Sequence, residues 1–155
     1  MKTFASFGAE NMNVTQPFVV DIGGEGRHCA AWNLNPRRFK TCGPDSGQPI
    51  PRLIMGRSEA VPLPNHVVDM IIVERTPLSR RALDEIKRIA RPGALVVLRH
   101  ARAFGMDPHR LAKEVLAGTW CVRECQIESR AYQVLVIQLA ETAPEFASVN
   151  RSVPQ

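Results

Sequence analysis

The residues best spaced for chemistry begin at Asp21. In Pro17-Phe18-Val19-Val20-Asp21-Ile22-Gly23-Gly24-Glu25-Gly26-Arg27-His28, an apolar, β-branched run ends on an acid and breaks into glycines. Such a run suits a buried strand of a parallel sheet. Glycines directly after it let the backbone turn sharply and approach a ligand closely. Open α/β sheets bind ligands beyond the carboxyl ends of their strands, so this turn is a candidate floor for a nucleotide-like site. The same glycines also serve any tight strand-to-loop turn, and Gly-Gly-Glu-Gly does not complete the pattern G-x-G-x-x-G.

The other candidates are single side chains. His100 follows Arg99 at the end of a second apolar run, 94–99, and should face the same rim as Gly23. A histidine there could act as a general base, although a surface histidine that merely supports its neighbours is the simpler reading. Arg99, Arg102 and Arg110 together with His100 could hold a phosphate. His109 falls in the first turn of an expected helix and should be solvated, while His28 and His66 fall in loops. None of these histidines has ligand spacing, so no metal is expected. Cys29, Cys42, Cys121 and Cys125 lack C-x-x-C spacing. Cys121 and Cys125 share one face of an expected strand, too far apart to bridge. All four read as reduced thiols of a cytoplasmic protein. Trp32 and Trp120 are expected in the core.

The chain has 155 residues, which suits one domain, and 45% of them are apolar. Its net charge is +5. That balance suits an anionic partner, but a generally arginine-rich composition produces it with no partner at all. Aromatic residues make up only 6%, too few for a convincing nucleic-acid surface. No run reaches the length of a membrane span, and the N-terminus lacks the apolar core of a signal peptide, so no membrane partner is expected.

Polar residues 1–16 form an expected flexible arm, residues 17–140 the domain, and 141–155 a flexible tail. Strands are expected at 17–22, 31–34, 52–55 and 67–73, the last buried on both faces. Residues 26–34 also fit a short helix stopped by Pro36, but Asn33, Asn35 and Pro36 favour a strand end. The prolines and glycines of 36–51 predict a long loop with no helix beyond one turn. Thr76 and Pro77 should open a helix, as N-cap and first helical residue. Leu78, Ala82, Leu83, Ile86, Ile89 and Ala90 would form its buried face, and Arg91-Pro92-Gly93 would end it. A buried strand follows at 94–99. A second helix opens at Asp107-Pro108, with Leu111, Ala112, Val115 and Leu116 inward and Gly118 as its stop. Segments 120–128 and 131–139 should pair antiparallel at a sheet edge. The order predicts an α/β fold, mainly parallel, with few helices in its first half.

Two segments resemble a known family. Gly56-Arg57-Ser58-Glu59-Ala60-Val61-Pro62-Leu63-Pro64-Asn65-His66-Val67-Val68-Asp69-Met70-Ile71 is similar to the block G-D-A-E-x-L-P-F-P-x-x-S-F-D-x-I of class I S-adenosylmethionine-dependent methyltransferases. Ala82-Leu83-Asp84-Glu85-Ile86-Lys87-Arg88-Ile89-Ala90-Arg91-Pro92-Gly93 resembles their A-L-x-E-I-x-R-V-L-K-P-G segment. The resemblance runs from about Phe18 to Leu139 and is nearest the compact, type 11 methyltransferase-like group. It implies a compact Rossmann-like methyltransferase fold with a C-terminal antiparallel hairpin, and S-adenosylmethionine as cofactor.

Position by position, the resemblance puts Asp21, Gly23 and Gly24 under the methionine part of the cofactor. Asn35 takes the place of the ribose-binding acid, and Ser58 and Glu59 lie beside the adenine. Glu74 and Arg75 fall where cofactor and substrate meet, and with His100 they are the catalytic candidates. The chain departs from the family at Glu25, at Asn35, at Arg57, and in a shortened segment after Val73. It also nearly lacks the N-terminal helices that lid the site. These departures describe a degenerate site without a lid. The resemblance implies methylation of a small molecule; a non-catalytic binding or assembly module, self-associating or joined to a partner protein, is the alternative. An RNA-modifying protein is a third reading, resting on charge. Gly23→Val is expected to fill the space a ligand needs. Asn35→Asp is expected to tighten cofactor binding by about 1 kcal/mol through charge-assisted hydrogen bonds.

Overall fold

A computed structural model describes residues 16–102, 106–127 and 130–141. Nearly all of the expected arm and tail lie outside the described residues. The apolar runs become strands of one seven-stranded sheet. They are β1 (Val19–Ile22), β2 (Trp32–Asn35), β3 (Leu53–Met55), β4 (Val68–Glu74), β5 (Ala90–Ala101), β6 (Gly118–Ile127) and β7 (Arg130–Leu139), in the spatial order β3-β2-β1-β4-β5-β7-β6. The first five in sequence run parallel, and β7 lies antiparallel to both β5 and β6. The hairpin at the edge and the parallel body match the sequence expectation. The strand order reverses between β1 and β4, so the carboxyl ends of β1 to β5 share one rim.

Two helices follow β4 and β5: α1 (Arg80–Ile89) and α2 (Arg110–Val115). Leu83, Ile86 and Ile89 of α1 are buried in the same cluster as Val20, Ile22, Ile71, Val73, Val96 and Leu98 of the sheet and Leu135 and Ile137 of β7. Burial of such side chains contributes about 1.5–3 kcal/mol each and holds the rim in shape. In the first half, no helix crosses from β2 to β3. Residues 36–51 instead fold back on themselves through a Phe39–Pro49 bridge, with Lys40 N–H donating to the Gln48 carbonyl (2.8 Å).

Several local expectations are corrected. Thr76 does not cap α1: its hydroxyl donates to the Ile22 carbonyl (3.3 Å), and Ser79 accepts from Ala82 N–H instead (3.1 Å). Arg91-Pro92-Gly93 does not separate helix from strand. Ala90 already pairs with Val68, Leu95 pairs with Met70, and the residues between bulge out of register. The strand is therefore longer than expected, and Leu95 is exposed. Gly118 is no helix stop but the first residue of β6. Trp32 and Trp120 are not core residues: they are 42% and 53% exposed. Lys113 lies over the Trp120 ring, 4.8 Å from its centre, so that face is used by a cation. His109 is not solvated but fully buried. Among the described residues no helix is long and apolar enough to cross a membrane, and no group of three His, Cys, Asp or Glu could hold a metal ion.

Candidate functional site

A cavity of about 720 Å³ opens at the carboxyl ends of β1, β2, β3 and β4. Gly23, Asn35, Ser58, Glu59 and Arg75 all line it, so five sequence candidates converge from four strand ends. Asp21 and Gly24, also sequence candidates, do not line it. A second cavity of about 820 Å³ adjoins it, shares Arg75 and Pro77 with it, and includes His100 in its wall. Glu74 is buried and lines neither cavity.

The glycine turn is stitched from below. Gly23 adopts φ +75° and donates to the Leu34 carbonyl (2.8 Å). A β-carbon on Gly23 would collide with the Thr76 hydroxyl, so a side chain of this protein fills the space that glycine leaves. A β-carbon on Gly24 would strike the side chains of Asn33 and Asp21. Asn33 accepts from Gly26 N–H (2.9 Å) and donates to the Pro51 carbonyl (2.8 Å). Asn35 donates to the Gly24 carbonyl (3.1 Å) and accepts from Arg37 N–H (2.9 Å). Sequence reasoning missed Asn33. The signal was the N-x-N spacing, which puts both amides on one face of β2. Glu25 lines the cavity, but its carboxylate turns to the 41–42 loop, accepting from Thr41 N–H (3.1 Å), the Thr41 hydroxyl (2.6 Å) and Cys42 N–H (3.3 Å). Burial pushes its pKa up, and those hydrogen bonds outweigh it and hold the carboxyl below its usual range.

The turn after β3 differs. Ala60 N–H closes it by donating to the Arg57 carbonyl (3.1 Å), leaving Ser58 and Glu59 at its tip. Both side chains are half-buried in the cavity wall.

Charges gather behind the glycine turn. Asp21 is fully buried, and neither carboxylate oxygen meets a donor among the described residues. Burial raises its pKa to about 6, against the opposing pull of His28 and Arg27. Glu74 accepts from Arg99 (2.6 Å), with Arg27 at 3.8 Å and His28 at 3.4 Å. His100 is closed on both sides. Its Nε2 lies 2.7 Å from the Thr76 carbonyl and its Nδ1 3.0 Å from His109 Nε2, and His109 Nδ1 lies 2.9 Å from the Gln133 side-chain oxygen. Burial lowers the pKa of His100 and takes His109 down to about 4, where His100 also contributes. The expected phosphate cluster does not assemble. Arg99 is paired with Glu74, Arg102 with Glu124, and Arg110 stands exposed at the start of α2.

This fold, with its parallel body and antiparallel end, is shared with solved S-adenosylmethionine-dependent methyltransferases. The solved structures it is similar to include the 16S rRNA (adenine(1408)-N(1))-methyltransferase of Catenulisporales acidiphilia with its cosubstrate, at 16% identity and a TM-score of 0.54, covering 83% of this chain and 87% of that one. A possible histamine N-methyltransferase of Thermotoga maritima has 15% identity and a TM-score of 0.60, covering 82% and 84%. The [4+2]-cyclase SpnF has 12% identity and a TM-score of 0.59, covering 81% and 75%. No protein-family model and no curated protein matches the sequence.

Proposed function

We propose that the cavity at the ends of β1–β4 binds S-adenosylmethionine and that the protein transfers its methyl group to a small molecule. The observation that carries this reading is the convergence of Gly23, Asn35, Ser58 and Glu59 on one cavity at the point where the strand order reverses. The residues present fit the cofactor. Ser58 and Glu59 offer a hydroxyl and a carboxylate to its polar groups, and Gly23 and Asn35 shape the floor. The bound cofactor supplies an electrophilic methyl group on a sulfonium. The protein's share is positioning, because both ring nitrogens of His100 are engaged and Glu74 is buried in an ion pair with Arg99. The acceptor is therefore one that arrives already nucleophilic. A titration with S-adenosylmethionine followed by protein NMR tests the reading: amide shifts at Gly23, Ser58 and Glu59 are expected. Their absence at millimolar cofactor would refute it.

The closed state of His100 and Glu74 also favours a second reading, a non-catalytic binding or assembly module. In that case the cofactor binds weakly or not at all, and copies associate in solution. The edge strand β6 is exposed along almost its whole length, which suits such pairing. Solution scattering measures the mass directly, and methyl transfer by a monomer would exclude this reading.

A further inference from the structure

The 820 Å³ cavity beside the candidate cofactor site has a wall of unusual composition. Arg75, Arg99 and Arg130 line it together with Tyr132, and apolar surface comes from Leu78 and Ile127 among others. No carboxylate lines it among the described residues. Among the described residues, Arg99 is the one of the three guanidinium groups that is neutralised, by Glu74 at 2.6 Å. Arg75 and Arg130 are exposed and make no ion pair with any described residue. Arg75 also sits at φ +61°, a left-handed conformation that is costly for a residue with a side chain. It lines this cavity, the candidate cofactor cavity and a third, smaller one. A strained, unpaired cation where cavities join is a ready anion anchor.

We infer that this second cavity binds a small organic anion, an apolar body carrying one carboxylate or phosphate, with Arg75 and Arg130 holding the anionic group. The apolar wall suits a compact ring or chain. Two arginines without an ion pair among the described residues suit one anionic group better than a nucleic-acid backbone, which needs a track of cations. The inference rests on the proposed cofactor reading only for naming this anion as the methyl acceptor; anion binding itself does not depend on it.

The test uses the full chain without S-adenosylmethionine. Benzoate, phenyl phosphate and the neutral benzamide are titrated separately and followed by NMR, with a short single-stranded RNA as a fourth arm. Benzoate or phenyl phosphate is expected to shift the amides of Arg75, His100 and Tyr132. Which of the two binds more tightly separates carboxylate from phosphate recognition. Benzamide should bind at least about tenfold more weakly, and Arg75→Gln or Arg130→Gln should each weaken the anion about tenfold. Arg130 is exposed, so its variant keeps the fold, which a thermal melt verifies. Equal binding of benzamide, unchanged affinity in both variants, or shifts from RNA alone would overturn the inference. A failed S-adenosylmethionine titration beside a positive anion titration refutes only the cofactor reading.

Discussion

Two turns line the candidate cofactor cavity, and they are built on opposite principles. The glycine turn after β1 spends its groups internally. Asn33, Asn35 and Thr76 fill its close approaches and take its hydrogen bonds. The turn after β3 closes with one backbone hydrogen bond and leaves Ser58 and Glu59 facing the cavity. The first turn therefore sets the shape of the site, while the second holds the groups that can still select a ligand. Residues that are conspicuous in sequence because they are glycine are not automatically those that touch a ligand.

The largest effect that would break this contrast is Gly23→Val. The side chain meets the Thr76 hydroxyl at a backbone angle that disfavours it, so a loss of about 3–5 kcal/mol of stability is expected in urea denaturation. A variant that unfolds like the parent but loses cofactor would return the space to the ligand. Asn35→Asp comes next. An aspartate cannot donate to the Gly24 carbonyl, and its charge would face that oxygen, so a loss of about 2 kcal/mol is expected. Any gain in cofactor binding from the added charge would have to be read on the folded variant, and calorimetry on Asn35→Asp measures it.

Asp21→Asn should stabilise the protein at neutral pH, on the order of 1–3 kcal/mol. Burial raises the folded-state pKa from 3.8 to about 6, so the native state binds more protons than the unfolded one in that window. Stability from this group is therefore lost as pH rises from 3.8 to about 6, and the advantage of asparagine should vanish in acid below that window. His109, buried at about 4 against an ordinary 6.5, tilts the other way over much of the same range. The difference between parent and variant melts is thus the quantity to follow. The smallest change in stability is expected at the second turn. Ser58→Ala and Glu59→Gln should melt within about 0.5 kcal/mol of the parent, yet each should weaken S-adenosylmethionine by up to about tenfold. A large drop in melting temperature would mean that this turn, too, is structural.

Much of the architecture was legible because it depends on local pattern. Apolar β-branched runs set the strands, the spacing of Pro36, Gly43, Pro44, Gly47, Pro49 and Pro51 ruled out a crossover helix, and two adjacent strand-like segments predicted the terminal hairpin. Gly23 was read from the strand-to-glycine turn, and Asn35, Ser58 and Glu59 were implied by the family resemblance; all four line one cavity. The errors arose where partners lie far apart in the chain. His109 reads as a solvated helix start in the sequence, but the fold buries it with His100 and Gln133 within 3.0 Å and 2.9 Å of its ring nitrogens. Thr76 looked like a helix cap until β1 placed the Ile22 carbonyl within its reach.

What the sequence determined by itself was which segments become strands, where the chain turns, and that the glycine turn sits at a strand end. Those follow from backbone sterics and side-chain period, which act over a few residues. Tertiary structure alone decided which polar groups stay free. Glu74 and Arg99 are twenty-five residues apart and pair only because the parallel register of β4 and β5 sets them side by side. Arg75, one residue further on, makes no ion pair among the described residues; the chain turns left-handed there and Arg75 lines both cavities.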